Sequence, residues 1–269
     1  MENIEKIHQY LIQFMLRNGV STVQRAIKYC SKLENETVDM AKLGVIINHI
    51  NRVICNQHFK LVFGTCEVTN KDLLVWLNLK NDPLSKSQPY FTERELEYFQ
   101  AILEEIINSE QRKLMIVVCI NITSTLTASF SRENGKSVLE KWIKSGYFVK
   151  NGEFIHLGLK LILEFTSYLR THRPECVCYL CSELSFTGKI CDNCDKMFHS
   201  YCIDKYMQNQ TACPNCKQDW RETDVFKTLV EQSSTQMQIT NIEEMNIDEG
   251  IIEPGPSWRG NRRNRSPCY

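Results

Sequence analysis

The sequence lacks long apolar runs and lacks an excess of charge of either sign. Its longest apolar run, Leu114 to Ile120, is far shorter than the ~20 residues that a membrane-spanning helix needs. Lysine plus arginine and aspartate plus glutamate each number 32, so no overall field attracts nucleic acid or anionic lipid. The composition, 42% hydrophobic and 24% charged, is typical of a globular protein. We therefore predict two or three small domains and no membrane partner.

The first residues, Met1 to Lys6, also lack the basic and then apolar profile of a signal peptide. Cysteine, in contrast, is abundant: the chain has 13, and eight of them lie between Cys176 and Cys216. A secreted disulfide scaffold would be a short chain with cysteines distributed throughout it. The clustering instead predicts a reducing compartment and a metal-binding segment.

The cluster is built from pairs of ligand residues, and two residues separate the members of each pair. The pairs are Cys178 and Cys181, Cys191 and Cys194, His199 and Cys202, and Cys213 and Cys216. Zinc prefers tetrahedral sulfur and nitrogen ligands, and a two-residue gap lets one tight turn aim two side chains at one ion. Eight ligands complete two closed sites with no position for water. The pattern therefore predicts two structural Zn²⁺ ions, which stabilise a segment too short to fold by apolar burial alone.

Cys176 is a ninth candidate for these sites. Its four-residue gap to Cys181 fits less well than the two-residue gap from Cys178, so spacing favours Cys178 as the ligand. The remaining cysteines are scattered, and we expect them to be buried apolar residues or free thiols. They are Cys30, Cys55, Cys66, Cys119 and Cys268.

The ligand order, four cysteines, a histidine and three cysteines, resembles a RING-type domain. That resemblance implies a cross-brace, in which Cys178, Cys181, His199 and Cys202 hold one ion and the other four cysteines hold the second. Spacing alone leaves sequential pairing open. The plant-homeodomain finger has the same ligand order, but it usually carries a longer insert before the last pair and an aromatic residue where this chain has Thr211. Both departures favour the RING interpretation.

The RING resemblance also implies contacts with a ubiquitin-conjugating enzyme. The matching positions are Leu180 and Pro214 in two zinc loops, and Tyr206 and Met207 on a helix expected over residues 203–208. Lys217 matches a cation that some RING ligases direct at donor ubiquitin. The alternatives are that Leu180 and Pro214 only pack the small domain, and that Lys217 is simply solvated.

Residues 1–170 contain no metal or phosphate-binding motif, and they show helical periodicity followed twice by hairpin alternation. Residues 21–24 and 92–95 match capping boxes, and Asn151-Gly152 is a strong hairpin signal. We expect helices over 137–145 and 159–169, and buried roles for Trp76 and Trp142. Helices followed by a hairpin, seen twice, resemble tandem winged helices. The predicted class is therefore mainly α with small β-hairpins.

Tandem winged helices followed by this zinc domain resemble the non-SMC element 1 family over about residues 1–223. The matching details are Leu180, Phe198 before His199, the Cys213-Pro214-x-Cys216 turn, and Trp220. The predicted domains are winged helices over 1–82 and 90–172, a RING-type domain over 175–223 and a disordered tail over 224–269. The polar stretch from Asn81 to Pro89 marks the first boundary.

This resemblance implies a nuclear ubiquitin ligase subunit of the structural-maintenance-of-chromosomes five–six complex, acting in DNA repair by recombination. Its implied partners are a MAGE-type subunit, a kleisin subunit and a ubiquitin-conjugating enzyme. RING ligases act by positioning, so no catalytic nucleophile is expected. The alternative is a zinc-binding scaffold without ligase activity. The weakly basic second hairpin predicts at most weak or indirect DNA contact. For the arginine cluster from Arg259 to Arg265, the alternatives are nucleic-acid contact, a nuclear signal or a simply solvated tail.

Overall fold

The computed structural model describes residues 6–34, 36–80 and 91–220. The predicted boundary at Asn81 to Pro89, Cys268, the arginine cluster and the predicted disordered tail all lie outside the described residues. Within the described part, no helix is long and apolar enough to cross a bilayer.

The first unit, residues 6–80, combines helices with one antiparallel sheet. Its elements are α1 (Lys6–Asn18), β1 (Val20–Thr22), α2 (Val23–Glu34), α3 (Met40–Ile54), a 3₁₀ turn (Cys55–Gln57), β2 (Phe59–Thr65) and β3 (Asp72–Asn78). The strand order is β1-β3-β2. β2 and β3 form the predicted hairpin, with Leu61 opposite Trp76. The helices pack on the sheet through a core that includes Leu11, Leu43 and Trp76.

The second unit, residues 91–172, repeats the same order of helices and strands. Its elements are α4 (Glu93–Asn108), β4 (Lys113–Met115), α5 (Ile116–Ile122), α6 (Arg132–Lys144), β5 (Phe148–Asn151), β6 (Phe154–Leu157), α7 (Leu159–Glu164) and α8 (Thr166–His172). The sheet order is β4-β6-β5, which matches the first unit strand for strand. The mainly α class with small hairpins is confirmed, and the repeated order is consistent with tandem winged helices.

Several predicted helix boundaries were correct and others were wrong. Thr92 forms the expected capping box with Glu95 at the start of α4. The box predicted at Ser21 was wrong, because Ser21 is buried in β1 and the Thr22 hydroxyl instead accepts the Arg25 amide. The helix predicted over 137–145 begins earlier, at Arg132, because the Ser131 side chain caps it by accepting the Asn134 amide.

The closing helix predicted over 159–169 is divided in two at Phe165. The backbone of that residue leaves the helical region, with φ −103° and ψ 19°. The Thr166 hydroxyl donates to the carbonyl oxygens of Ile162 and Leu163, which offers this turn an alternative to regular helix bonding.

The cysteine-rich unit, residues 176–220, has little regular structure. It contains β7 (Lys189–Ile190), β8 (Met197–Phe198) and α9 (Ser200–Met207), which is the helix expected over 203–208 shifted toward the N-terminus. Apart from thiols, its small core centres on Phe198, Ile203 and Trp220. Leu184 and Phe186 instead join the core of the second unit. The cysteine-rich unit therefore packs against the second unit through these two side chains.

Candidate metal centre

Two groups of four potential ligands meet in the cysteine-rich unit. One group is Cys178, Cys181, His199 and Cys202, and the other is Cys191, Cys194, Cys213 and Cys216. Within each group the ligand atoms all lie within 4.8 Å of one another. The first and third pairs therefore converge, as do the second and fourth. This interleaving is a cross-brace, and sequential pairing is not what the fold produces.

The distances within the groups fit a tetrahedral ion. Four sulfurs about 2.3 Å from a central zinc would be about 3.8 Å apart along each tetrahedral edge. The Sγ atoms of Cys191 and Cys216 are 3.8 Å apart, and so are those of Cys194 and Cys213. In the first group, His199 Nδ1 lies 3.3 Å from Cys181 Sγ and 3.8 Å from Cys202 Sγ. The donor set and its spacing both suit Zn²⁺.

Three of the four pairs are held by the same turn. In each, the backbone amide four residues after the first cysteine donates a hydrogen bond to the carbonyl oxygen of that cysteine. The bonds run from Ser182 to Cys178 (2.8 Å), from Asp195 to Cys191 (2.8 Å) and from Lys217 to Cys213 (3.1 Å). Each of these three donors has a positive φ, between 54° and 63°. The left-handed residue closes the turn and brings both sulfurs to one side. The fourth pair, His199 and Cys202, instead lies at the start of α9.

The two nitrogens of the His199 ring have different surroundings. Nδ1 faces the sulfurs, while Nε2 lies 2.9 Å from the Leu184 carbonyl oxygen. A carboxylate oxygen of Glu67, from the first unit, lies 3.4 Å from the same Nε2. Nδ1 is therefore the atom available to a metal, and Nε2 carries the proton that the carbonyl accepts.

Without a cation, the clustered thiols cannot all ionise together. Burial raises the pKa of Cys178, but hydrogen bonds, above all with His199, lower it to about 6. Burial raises the pKa of Cys213 to about 12, whereas a hydrogen bond from Asn193 contributes most to lowering that of Cys216 to about 6. Metals bind cysteine as thiolate, so a divalent cation would relieve this conflict. The donor chemistry thus fits the predicted ion.

The cysteines outside the two groups have other environments. Cys176 is fully buried, belongs to the core of the second unit and is absent from both groups. Cys30, Cys66 and Cys119 are also buried, while Cys55 is exposed. Within the described part of the chain, Cys55, Cys66 and Cys119 form no disulfide.

The residues predicted to contact a conjugating enzyme are distributed over the two loops and α9. Leu180 is 37% exposed in the first loop, and Pro214 is partly exposed in the last. Tyr206 and Met207 are half-buried and pack against the small core. The Lys217 ammonium is exposed and donates back to the Pro214 carbonyl at 3.1 Å.

Comparison with known proteins places this centre in a family. A model of the Nse1 non-SMC component of the SMC5-6 complex matches residues 8–137, and a RING-like domain model matches 178–216. The human non-structural maintenance of chromosomes element 1 homolog is 29% identical over 223 residues, covering 80% of this chain and 84% of the human one. Together these matches support the non-SMC element 1 family for this chain. The Drosophila melanogaster homolog is 26% identical over 182 residues, covering 66% of this chain and 77% of its own.

A solved structure gives the family fold independently. A chain from an Nse1-Nse3-Nse4 complex superposes with a TM-score of 0.69 at 21% identity. The match covers 82% of this chain and 99% of the other. The family fold thus extends over most of the described residues.

Glu67 lies near the centre, and sequence reasoning missed it. It lies in the β2–β3 loop, more than a hundred residues before the ligands, and no spacing or motif links it to them. A buried acidic residue in a hairpin loop has no signature in a single sequence.

Proposed function

We propose that this chain is a RING-type ubiquitin ligase subunit of the structural-maintenance-of-chromosomes five–six complex, with two structural zinc ions. The observation that supports this most is the pair of interleaved Cys/His groups, with Leu180 partly exposed on one sulfur-bearing loop. Zinc bound there would fix both loops rigidly. A rigid pair of loops suits a small, transient interface with a conjugating enzyme.

The proposed mechanism is positioning. The domain would hold a ubiquitin-charged conjugating enzyme so that a substrate lysine meets the thioester, which requires no nucleophile from this chain. Leu180 and Pro214 would form the apolar contact, Tyr206 would support it from α9, and Lys217 would approach donor ubiquitin. For that last role, Lys217 must exchange its bond with the Pro214 carbonyl for one with ubiquitin.

We further propose that the two winged-helix units dock a MAGE-type subunit and that a kleisin subunit joins them. The matched chain comes from an Nse1-Nse3-Nse4 complex, which supports this arrangement for that chain, and family membership supports it here. Nuclear location and a role in recombinational DNA repair belong to the same proposal. The near-zero formal charge favours protein docking over direct DNA binding.

A ubiquitin discharge assay tests ligase activity. The zinc-loaded chain, with a MAGE-type partner, is compared with Leu180→Ala across a panel of charged conjugating enzymes. Ile190→Ala is the matched control, because Ile190 is an apolar residue of the same unit, 48% exposed, outside the two loops. We expect acceleration by the wild type and by Ile190→Ala, and its loss in Leu180→Ala with both zinc ions retained.

A scaffold without ligase activity is the second candidate. It is favoured by the firm anchoring of the cysteine-rich unit, whose Leu184 and Phe186 lie in the core of the second unit. An absence of acceleration with every enzyme of the panel, with two zinc ions bound, would establish the scaffold instead.

A further inference from the structure

The β2–β3 loop of the first unit reaches into the cysteine-rich unit. One carboxylate oxygen of Glu67, Oε2, accepts the backbone amides of Phe186 and Thr187, both at 2.8 Å. It also accepts the Thr187 hydroxyl at 3.1 Å. Three hydrogen bonds at one atom therefore join Glu67 to residues 119 and 120 positions later in the chain.

The second carboxylate oxygen faces the metal centre. Glu67 Oε1 lies 3.4 Å from Nε2 of His199, beside the Leu184 carbonyl that accepts the same N–H. The Glu67 side chain is 7% exposed and that of His199 is 2% exposed. The pair is thus shielded from water, where a misplaced charge would be costly.

Every group that bonds this carboxylate is a donor. Two amides and a hydroxyl face one oxygen, and an imidazole N–H faces the other. An ionised carboxylate accepts hydrogen bonds at both oxygens and donates none, so it suits this position better than an amide of the same shape. The same carboxylate is close enough to His156 of the second unit to act on its pKa, which burial and Lys113 lower and Glu67 raises. Because Phe186 also belongs to the core of the second unit, Glu67 lies where the first and cysteine-rich units border the second.

We propose that Glu67 is a positioning residue for the metal ligand His199 and that it joins the first unit to the zinc domain. Ligating histidines are oriented by the group that receives their second N–H, and loss of such a group typically weakens metal binding about 10–100-fold. Here the Leu184 carbonyl, 2.9 Å away, receives that N–H, and Glu67 of the separate first unit places its carboxylate oxygen 3.4 Å from the same nitrogen. This inference rests on the zinc-binding part of the proposed function and is independent of ubiquitin transfer.

The test compares the full chain with Glu67→Gln and with the control Asp72→Asn. Glu67→Gln preserves shape but replaces one acceptor oxygen with an NH₂ group. Asp72 lies in the same hairpin, where its carboxylate accepts the Thr65 hydroxyl at 2.9 Å. Each protein is loaded with ¹¹³Cd, whose resonance distinguishes a site with three sulfurs and one nitrogen from a site with four sulfurs. Zinc release to a chromogenic chelator and hydrogen exchange at Phe186 and Thr187 complete the measurements.

We expect Glu67→Gln to shift the resonance of the His199 site and to speed zinc release from that site about tenfold or more. Exchange at both amides should rise. The four-cysteine site is the internal reference, because its resonance and release should not change, whereas a misfolded variant would disturb both sites. Asp72→Asn should behave as the wild type.

Two outcomes would overturn the inference in different ways. Two ions in every protein, with identical resonances, release rates and exchange in Glu67→Gln, would leave the zinc domain intact and remove the role of Glu67. A wild-type chain that holds fewer than two ions would overturn both the inference and the proposed zinc domain.

Discussion

Cys176 and Cys178 are two residues apart, and both are fully buried. Only Cys178 lies in a ligand group, so their replacement should have different effects. We expect Cys178→Ala to lower the zinc content from two ions to one per chain, because it removes a thiolate from a closed site. Native mass spectrometry would measure this.

Cys176→Ala is the matched control and should keep two ions, with only the modest destabilisation of a small core truncation. If instead Cys176→Ala loses an ion, the assignment of ligands from spacing is wrong.

Trp142 is the centre of an aromatic cluster in the second unit. It is 1% exposed and contacts Phe91, Tyr98, Phe99 and Phe148. Trp142→Ala should lower the free energy of unfolding by about 3–5 kcal/mol, since it leaves a large cavity. Urea unfolding followed by circular dichroism checks this.

Val117→Ala serves as the comparison for Trp142→Ala. Val117 is 54% exposed on α5, so its truncation should change stability by less than about 0.5 kcal/mol. Equal losses for the two variants would contradict the proposed importance of the aromatic cluster.

At the scale of elements, the start of α4 offers a clean test. Thr92 accepts the Glu95 amide, and the Glu95 carboxylate accepts the Thr92 amide. Thr92→Ala should cost about 1 kcal/mol, because the Glu95 amide loses its acceptor and the Glu95 carboxylate loses the hydroxyl that it accepts. Thr92→Ser keeps the hydroxyl and should restore most of the thermal midpoint.

Some elements were predictable from local pattern and others were not. The β2–β3 hairpin and the Thr92 capping box follow from local sequence patterns alone, whereas the helix before the last ligands was implied by the RING resemblance. β1 and β4 span only three residues each, and they exist as strands because β3 and β6 supply their partners. No local signal marks such strands. Likewise, the box predicted at Ser21 was wrong because pairing with Leu74 in the sheet takes precedence over a local cap.

At the scale of the whole molecule, the contact between the first and second units depends on a glycine. Gly146 has φ +83°, and a Cβ there would lie 2.2 Å from Val20 Cγ2 of β1. Gly146→Ala should therefore cost both the left-handed backbone, about 1–2 kcal/mol, and the overpacking of the interface, about 1–3 kcal/mol.

Gly152, at the tip of the second hairpin, is the matched control. It has φ +57° but open space around it, so Gly152→Ala should cost only the free energy of placing alanine in the left-handed region. A thermal midpoint for Gly146→Ala equal to that of Gly152→Ala would show that the interface tolerates the methyl group.

Metal removal should separate the units by their dependence on zinc. The cysteine-rich unit has a core of few apolar side chains, whereas both other units bury extensive apolar surface. Chelation should therefore unfold 187–220 and leave most helical signal intact. Hydrogen exchange by mass spectrometry would show protection lost there and retained over 93–108. Global loss of protection would instead mean that zinc stabilises the entire chain.

The ligand pairs could be read from the sequence, but the surroundings of the centre could not. Spacing identifies Cys178 over Cys176, and the fold then groups the pairs in the interleaved order that the RING resemblance implied. Glu67 and Leu184, which surround His199, carry no spacing signal because distant chain segments bring them together. Metal ligands must keep a fixed spacing in the sequence, whereas the residues that orient those ligands are placed only by the tertiary fold.

The distance in sequence between Glu67 and the amides that it accepts has a consequence for synthesis of the protein. The hairpin loop leaves the ribosome 119 residues before the amide of Phe186 that it will bind. The first unit, which has a core of its own, can fold during that interval, because domains generally fold as units from the N-terminus. Until Phe186 has been synthesised, the Glu67 carboxylate remains hydrated in a loop that has already folded. We expect the zinc domain to complete its His199 site last, against a surface already formed, so translation order itself would separate the maturation of the two metal sites.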